Sequence, residues 1–372
     1  MRIGIDARLL SGNMTGISRY LWNVLKYVPE FDKKNKYFLY LHNEVVLKNS
    51  FYNYVNVPKS KLPKQVYSHY WLNFVLPKSL EKNKIDLFFT PYILVPVKKS
   101  LRKNVIVIHD VMTKACPQFF TAYYKKYMSV IVPQSIKRAD AIVTVSQSAK
   151  NDIVKFYDIH PDKITVTHIW TDEKYKSLQL NEEEKEFVRK KYNLPDKFIL
   201  YVGAIEERKN ILGILKIADI LKSRDVDMRI VLVGNKGFGF EKLSAEMYQR
   251  NDRIIHIEHI AEENLPSIYN LAEIFLFPSF YEGFGLPPLE AMKCGLPVIT
   301  GKNSALLEVV GEGGLMYDSE DYNSFAESII LLLKDKEFYE KLKLKAIKQA
   351  EKFKPDTEIV KLIDLFNSLV SA

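Results

Sequence analysis

The chain has little cysteine: Cys116 and Cys294 are its only two, far apart in sequence. They form no metal or redox pair, which excludes a disulfide scaffold and fits a reducing compartment. Both read as buried packing residues. Also missing is any run close to the ~20 apolar residues that cross a bilayer. The chain opens on a strand-like segment instead of a charged region followed by an apolar one, so no secretory signal is expected. Gly-x-Gly-x-x-Gly is absent, which removes the dinucleotide fingerprint. Internal repeats and low complexity are absent too, which removes a solenoid.

What is present suits a soluble protein of two domains or more. At 372 residues and roughly 150 per domain, a 47% hydrophobic content supplies separate cores. Charge is unevenly spread: the net +9 combines +15 over residues 1–180 with −6 over 181–372. Basic clusters at Lys98-Lys99, Arg102-Lys103, Lys125-Lys126 and Lys137-Arg138 neighbour Phe119, Phe120, Tyr123, Tyr124 and Tyr127. Such a pattern suits an anionic membrane surface. A nucleic-acid partner is the weaker reading, and a lysine-rich solvated face stays open. The expected location is cytoplasmic, with peripheral attachment to the inner face of a membrane as its extension.

Strand patterns at Lys36–His42, Leu87–Thr90, Val105–Ile108, Ala141–Val145 and Lys163–Ile169 alternate with helical ones such as Ser148–Phe156. A second series runs through Phe198–Val202, Met228–Val233, Ile254–Ile257, Ile274–Phe277 and Pro297–Thr300. Alternation of this kind predicts parallel sheets covered by helices on both faces. The expected organisation is an α/β domain over 1–175, a boundary helix within 176–196, a second α/β domain over 197–352, and a final helix in 353–372.

Chemistry concentrates in Phe280–Glu290, Phe-Tyr-Glu-Gly-Phe-Gly-Leu-Pro-Pro-Leu-Glu. A buried strand ends there, Gly283 and Gly285 free the backbone, and Pro287 and Pro288 start a helix. The amides of Phe284, Gly285 and Leu286 then lie where a phosphate would bind. Glu282 and Glu290 sit at different heights around that point; taken alone, a dipole partner and a solvated glutamate are the simpler account of them. Upstream, the strand Phe198–Val202 leads through Gly203 to Arg208-Lys209-Asn210. The guanidinium fork and the ammonium together suit a diphosphate leaving group, and ordinary surface charge is the alternative. His109-Asp110 follows another strand directly, at the end where open α/β sheets bind ligands.

This Glu-x7-Glu stretch, the Gly-x4-Arg-Lys-Asn segment and the His-Asp pair together resemble glycosyltransferase family 4, a retaining family of GT-B architecture. So does the loop Ser11–Tyr20, which is similar to a Gly-Gly-Ile-x-Arg-Tyr loop with Asn13-Met14-Thr15 interposed. The resemblance covers most of the chain and is strongest over 198–310. It implies two Rossmann-like parallel-sheet domains facing across a cleft, the first (1–175) binding the acceptor and the second (197–352) the nucleotide sugar, with the final helix packing back on the first. It further implies that Glu282 and His109 meet the donor sugar as the catalytic pair and that Glu290 meets the ribose. Arg208 and Lys209 would hold the diphosphate, Gly12 and Gly16 would lie near donor phosphate or acceptor, and Asp110 would orient His109 or contact acceptor. One departure is Thr167–Asp172, where many members carry Pro-Asn-Gly.

The implied activity is transfer of a hexosyl group, mannosyl favoured, from a nucleotide diphosphate sugar to a glycan or lipid-linked oligosaccharide in polysaccharide assembly. GDP-mannose is the expected co-substrate, UDP- and dTDP-sugars remain open, and no other cofactor is expected. Asp225-Val226-Asp227 matches a metal-holding Asp-x-Asp but precedes an apolar strand instead of following one, so a surface turn and no metal are expected. A glycoside hydrolase would also use two carboxylates, ~5–10 Å apart, but would leave Arg208-Lys209 without a purpose. A non-catalytic nucleotide-sugar-binding scaffold subunit is the remaining alternative.

Overall fold

Alternating apolar runs and helices build two all-parallel sheets. The computed structural model describes residues 1–11, 15–42, 49–58, 60–61, 63–97 and 102–371. Gly12, with Asn13 and Met14, and the Lys98-Lys99 cluster lie outside the described residues.

The first sheet holds β1 (Arg2–Asp6), β2 (Lys36–Leu41), β3 (Tyr52–Asn56), β4 (Leu87–Thr90), β5 (Lys103–Val107), β6 (Ala141–Thr144) and β7 (Ile164–Val166), in the order β3-β2-β1-β4-β5-β6-β7. The second holds β8 (Phe198–Val202), β9 (Arg229–Val233), β10 (Ile254–Ile257), β11 (Ile274–Phe277), β12 (Val298–Gly301) and β13 (Gly314–Tyr317), in the order β10-β9-β8-β11-β12-β13. Sequential strands spread outward from β1 and from β8, then the chain crosses back to start the other half beside them. Each sheet therefore has a switch point, between β1 and β4 and between β8 and β11, where a crevice opens beyond the strands' carboxyl ends.

Central strands are apolar throughout because helices cover both faces. Every residue of β11 is fully buried, and each such side chain is worth about 1.5–3 kcal/mol. Two strands escape the sequence pattern. β3 is an edge strand whose Asn53, Tyr54 and Asn56 lie on the surface or near it, so no apolar run marks it. β13 follows the glycines Gly311, Gly313 and Gly314, which read as loop. Close backbone approach decides one glycine: a Cβ on Gly234, at φ +154, would be driven into the carbonyl oxygen of Gly203. This lets the loops after β8 and β9 lie back to back.

Contacts divide the chain into Met1–Ile169 with Lys354–Ala372, and Trp170–Phe353. The helix Glu182–Tyr192, begun by a capping box between Asn181 and Glu184, belongs to the second unit. In the first unit, the final helix Pro355–Ser371 packs on the helix Gly16–Phe31. Phe366 meets Phe89 with ring centroids 5.3 Å apart, and Glu358 accepts the amide of His168 at 2.9 Å. Asp225 and Asp227 occupy the turn between the helix Ile211–Ser223 and β9, Asp225 with a left-handed φ of 54.

Candidate active site

The switch point of the second unit brings two loops together. The loop after β8 turns through Glu207–Lys209 into Asn210, which caps the helix Ile211–Ser223 from a left-handed φ of 57. Its Oδ1 accepts the amide of Gly213 at 3.0 Å, and its Nδ2 donates to the carbonyls of Pro278 at 3.1 Å and Ser319 at 2.6 Å. One buried amide side chain thus pins the Arg208-Lys209 turn to the end of β11. Beyond that strand, the amide of Phe280 donates to Arg208 O at 3.1 Å. The amide of Glu282 donates to Ser304 Oγ at 2.9 Å, and Asn303 donates to Ser279 O at 2.6 Å. Backbone and side chains are therefore fixed before any ligand arrives.

Inside this frame stands an ion cluster. Lys209 Nζ lies 2.6 Å from Glu282 Oε1, and Arg208 Nη1 lies 3.6 Å from the same oxygen. Ser279 donates its hydroxyl to Glu282 Oε1 at 2.7 Å. Arg208 Nη2 pairs with Glu206 Oε1 at 2.6 Å while Nη1 donates to Tyr281 O at 2.5 Å. Burial raises the Glu282 carboxyl, but the charges of Lys209 and Arg208 and two donated hydrogen bonds outweigh it, leaving its pKa below the usual value. Glu282 is thus ionised at neutral pH. Two cations and two carboxylates stand alternately, all four side chains mostly buried.

The expected residues divide. Glu282, Arg208 and Lys209 meet in one cluster. Glu290 is engaged otherwise: it is 1% exposed, and its Oε2 accepts the Tyr269 hydroxyl at 2.8 Å. A solvated glutamate at that position is thereby corrected, because the helix turns it into the interior. Gly285 caps the helix Leu286–Lys293 at φ +111, where a side chain would be strained and would meet Leu306 at 2.8 Å. Leu286 is the first helical residue, and the two prolines after it bring no amide hydrogen. Phe284 is buried edge-on against Phe353, centroids 5.6 Å apart.

In the first unit, His109 follows β5, and its Nε2 lies 3.0 Å from the carbonyl of Pro91, just past β4. Since a carbonyl only accepts, Nε2 carries the proton and Nδ1 keeps its lone pair. Tyr20 meets the imidazole edge-on at 5.1 Å. Burial depresses the pKa from 6.5 to about 4, against the smaller opposing effect of the Pro91 bond. His109 is therefore a neutral acceptor at physiological pH, unable to act as an acid there. Asp110 Oδ1 accepts the amide of Met112 at 3.0 Å, ordering the turn that follows. Gly16 is exposed at the helix start, and among the described residues a Cβ there would meet nothing within 4 Å.

The depressed imidazole has a measurable sign. Unfolded chains take up this proton below pH 6.5 while the folded unit resists it down to about 4, so folded stability declines across that window as pH falls. Relative to His109→Gln, the wild type should lose about 3 kcal/mol more between neutral pH and pH 4, read from urea unfolding of the first unit. Parallel pH profiles for the two proteins would contradict it.

Sequence reasoning missed several members of the site. At the first switch point, Arg8 grips Asp6 through two bonds of 2.9 and 2.8 Å and lies 3.7 Å over the Trp71 ring. Its signal was the Ile-Asp-Ala-Arg run at the end of β1. Asn303, Ser304 and Ser319 carry no local signal, since their partners are distant in the chain.

Compared with known proteins, residues 182–349 match the family described as glycosyl transferases group 1, and residues 14–174 match glycosyltransferase family 4. Over 258 residues the chain is 33% identical to O-antigen chain mannosyltransferase B of Escherichia coli, covering 68% of this chain and 67% of that protein. The chain belongs to glycosyltransferase family 4. It is also 31% identical over 268 residues to the serotype-specific mannosyltransferase WbdA of Escherichia coli, 70% of this chain but only 32% of that longer protein. Among solved structures it is similar in fold to sucrose-phosphate synthase from Thermosynechococcus elongatus, with TM-score 0.80 at 17% identity, over 100% of this chain and 99% of that one. Its two parallel-sheet units are those of the GT-B architecture. The stretch matching the group 1 description contains the whole ion cluster and the residues that frame it.

Proposed function

We propose that this glycosyltransferase moves a mannosyl group from GDP-mannose to a glycan or lipid-linked oligosaccharide during polysaccharide assembly, with retention of configuration and without a metal. The observation that carries the reading is the Arg208-Lys209-Glu282 cluster at the second switch point, held by Asn210. Its cations are spaced to take up a diphosphate that gains charge as the glycosidic bond breaks, so they supply the neutralisation a divalent ion would otherwise give. Glu282, ionised beside them, favours the positive charge that develops on the sugar ring. His109 offers the Nδ1 lone pair to a sugar hydroxyl. In retaining chemistry of this family type the departing phosphate helps to deprotonate the acceptor on the same face, so no dedicated base is required. Mannose is preferred because two relatives at 33% and 31% identity, matched over 68% and 70% of the chain, are named as mannosyltransferases. Among the described residues no helix is long and apolar enough to cross a membrane, and a lipid-linked acceptor would be met by peripheral attachment.

The test is thermal stabilisation by GDP-, UDP-, dTDP- and ADP-sugars in the presence of chelator. A ligand at 100 times its dissociation constant adds about 2.7 kcal/mol. A shift with GDP-mannose that Arg208→Ala abolishes is the expected result. A shift only with another nucleotide would reassign the donor, and a shift that chelator removes would overturn metal independence.

A further inference from the structure

A helix on a folded domain ordinarily hides its apolar residues on one side and meets water with the other. The segment Lys64–Lys82 in the first unit departs from this. Its inner side packs Trp71, Leu72, Leu76 and Leu80 against Phe38, Tyr40, Val57 and Phe88. Its outer side carries Val66, Tyr70 and Phe74, respectively 55, 50 and 63% exposed. Tyr70 and Phe74 stack on one another with ring centroids 5.6 Å apart. Asn73 Oδ1 accepts the amide of Val97 at 2.8 Å, bringing that residue, 57% exposed, beside the stripe.

The alignment is built into the backbone. Residues four apart drift about 40° around a regular helix, so 66, 70, 74 and 78 would spiral away from one line. Here Trp71–Val75 is a π-turn in which Leu76 N bonds Trp71 O five residues back. The wider turn absorbs the drift. Its cause is readable: Pro77 has no amide hydrogen to return to Asn73, and its ring crowds that carbonyl. A π-turn inside a helix is uncommon and recurs at functional positions. The stripe continues into Lys78, and Lys82 lies a turn beyond, both exposed. Between Val57 and Lys103 the sequence has ten lysines and arginines and only two acidic residues, Glu81 and Asp86.

We propose that Val66, Tyr70, Phe74 and Val97 form a docking surface for an anionic lipid bilayer, with Lys78 and Lys82 paired to headgroup phosphates at its border. Aromatic and branched side chains at this level bury into the headgroup boundary while ammonium groups meet the negative surface. A water-facing patch of this kind on a monomer otherwise has only cost. The position differs from the basic clusters Lys98-Lys99, Arg102-Lys103, Lys125-Lys126 and Lys137-Arg138 expected from sequence, of which Lys98-Lys99 lies outside the described residues. Arg102 is buried, burial lowering its pKa, and Lys103 lies in β5 at 3.9 Å from Asp140. The inference rests on the reading above that the acceptor is lipid-linked, but it uses no residue of the ion cluster.

Flotation of the full chain with phosphatidylcholine vesicles, with and without phosphatidylglycerol, tests it. Wild type should float with the anionic vesicles and be released by high salt. Tyr70→Ser/Phe74→Ser should partition about tenfold less, a change of about 1.4 kcal/mol, at an unchanged melting temperature. Lys78→Glu/Lys82→Glu should lose the preference for phosphatidylglycerol. Wild type that stays in solution, or a Tyr70→Ser/Phe74→Ser protein that floats equally well, overturns the proposal. So does self-association of the wild type that this variant abolishes, which would assign the face to a second copy. Stabilisation by sugar nucleotide, measured on both proteins, should be identical, so failure of the donor reading is seen separately.

Discussion

Replacing Glu282 with glutamine should lower the transfer rate by about 10²–10³-fold, the scale set by loss of one aligned electrostatic partner of the transition state. The amide keeps the shape and can still accept from Ser279, but the charge facing Lys209 and Arg208 at 2.6 and 3.6 Å is gone. Two mostly buried cations then lose the carboxylate they share, and removing one member of such a set costs about 3 kcal/mol or more of folded stability. For a unit of this size that is about 6–12 °C in melting temperature. A nucleoside diphosphate brings back the missing negative charge, so it should restore more stability to the variant than to the wild type. Retained transfer with retained stability would remove Glu282 from the chemistry. In the wild type the depressed carboxyl has the matching pH sign. Its contribution is complete above the unfolded value of 4.5 and is lost as pH falls below that, through the folded pKa.

Asn210→Ala should be the most damaging single substitution for the donor-side frame. Alanine at φ 57 costs about 1–2 kcal/mol. The carbonyls of Pro278 and Ser319 each lose a donor inside the protein, at about 1–3 kcal/mol apiece. A total near 4 kcal/mol or more is expected by urea unfolding of the second unit. Asn210→Gly separates the contributions, since it relieves the backbone but not the carbonyls, and it should fall between wild type and alanine. Both variants should weaken nucleotide binding, because the turn that presents Arg208 and Lys209 is released from β11. An alanine variant as stable as wild type would show that the three bonds do not hold the turn.

Much of this was legible from local pattern. Short apolar runs marked eleven of the thirteen strands among the described residues, and Pro287 with Pro288 marked the helix start behind Gly285. Arg208, Lys209 and Glu282 were readable as partners in one site because each sits just past a strand end. What escaped has a common cause in long-range contact. Asn210 meets Ser319, Glu282 meets Ser304 and Glu290 meets Tyr269 across stretches that no periodicity connects. The burial of Glu290 could not be foreseen, since its partner lies on another helix. Edge position hid β3 and glycine hid β13. Pro77 was visible in the sequence, but its effect, a widened turn and not a broken helix, depends on the core that holds Trp71 and Leu76 on either side.

The pairing of Lys209 with Glu282 and of Arg208 with Glu206 makes this a site with resident competitors. A phosphate entering it, as the proposed function requires, would not meet bare positive charge; it would have to exchange with carboxylates already seated there. Its affinity is then the difference between two sets of ion pairs, so simple anions gain little, while a ligand that engages both cations together and adds contacts of its own gains most. On the proposed function the same exchange would run backward once the sugar had gone: each carboxylate is placed to reclaim its cation, so product departure would be assisted from within.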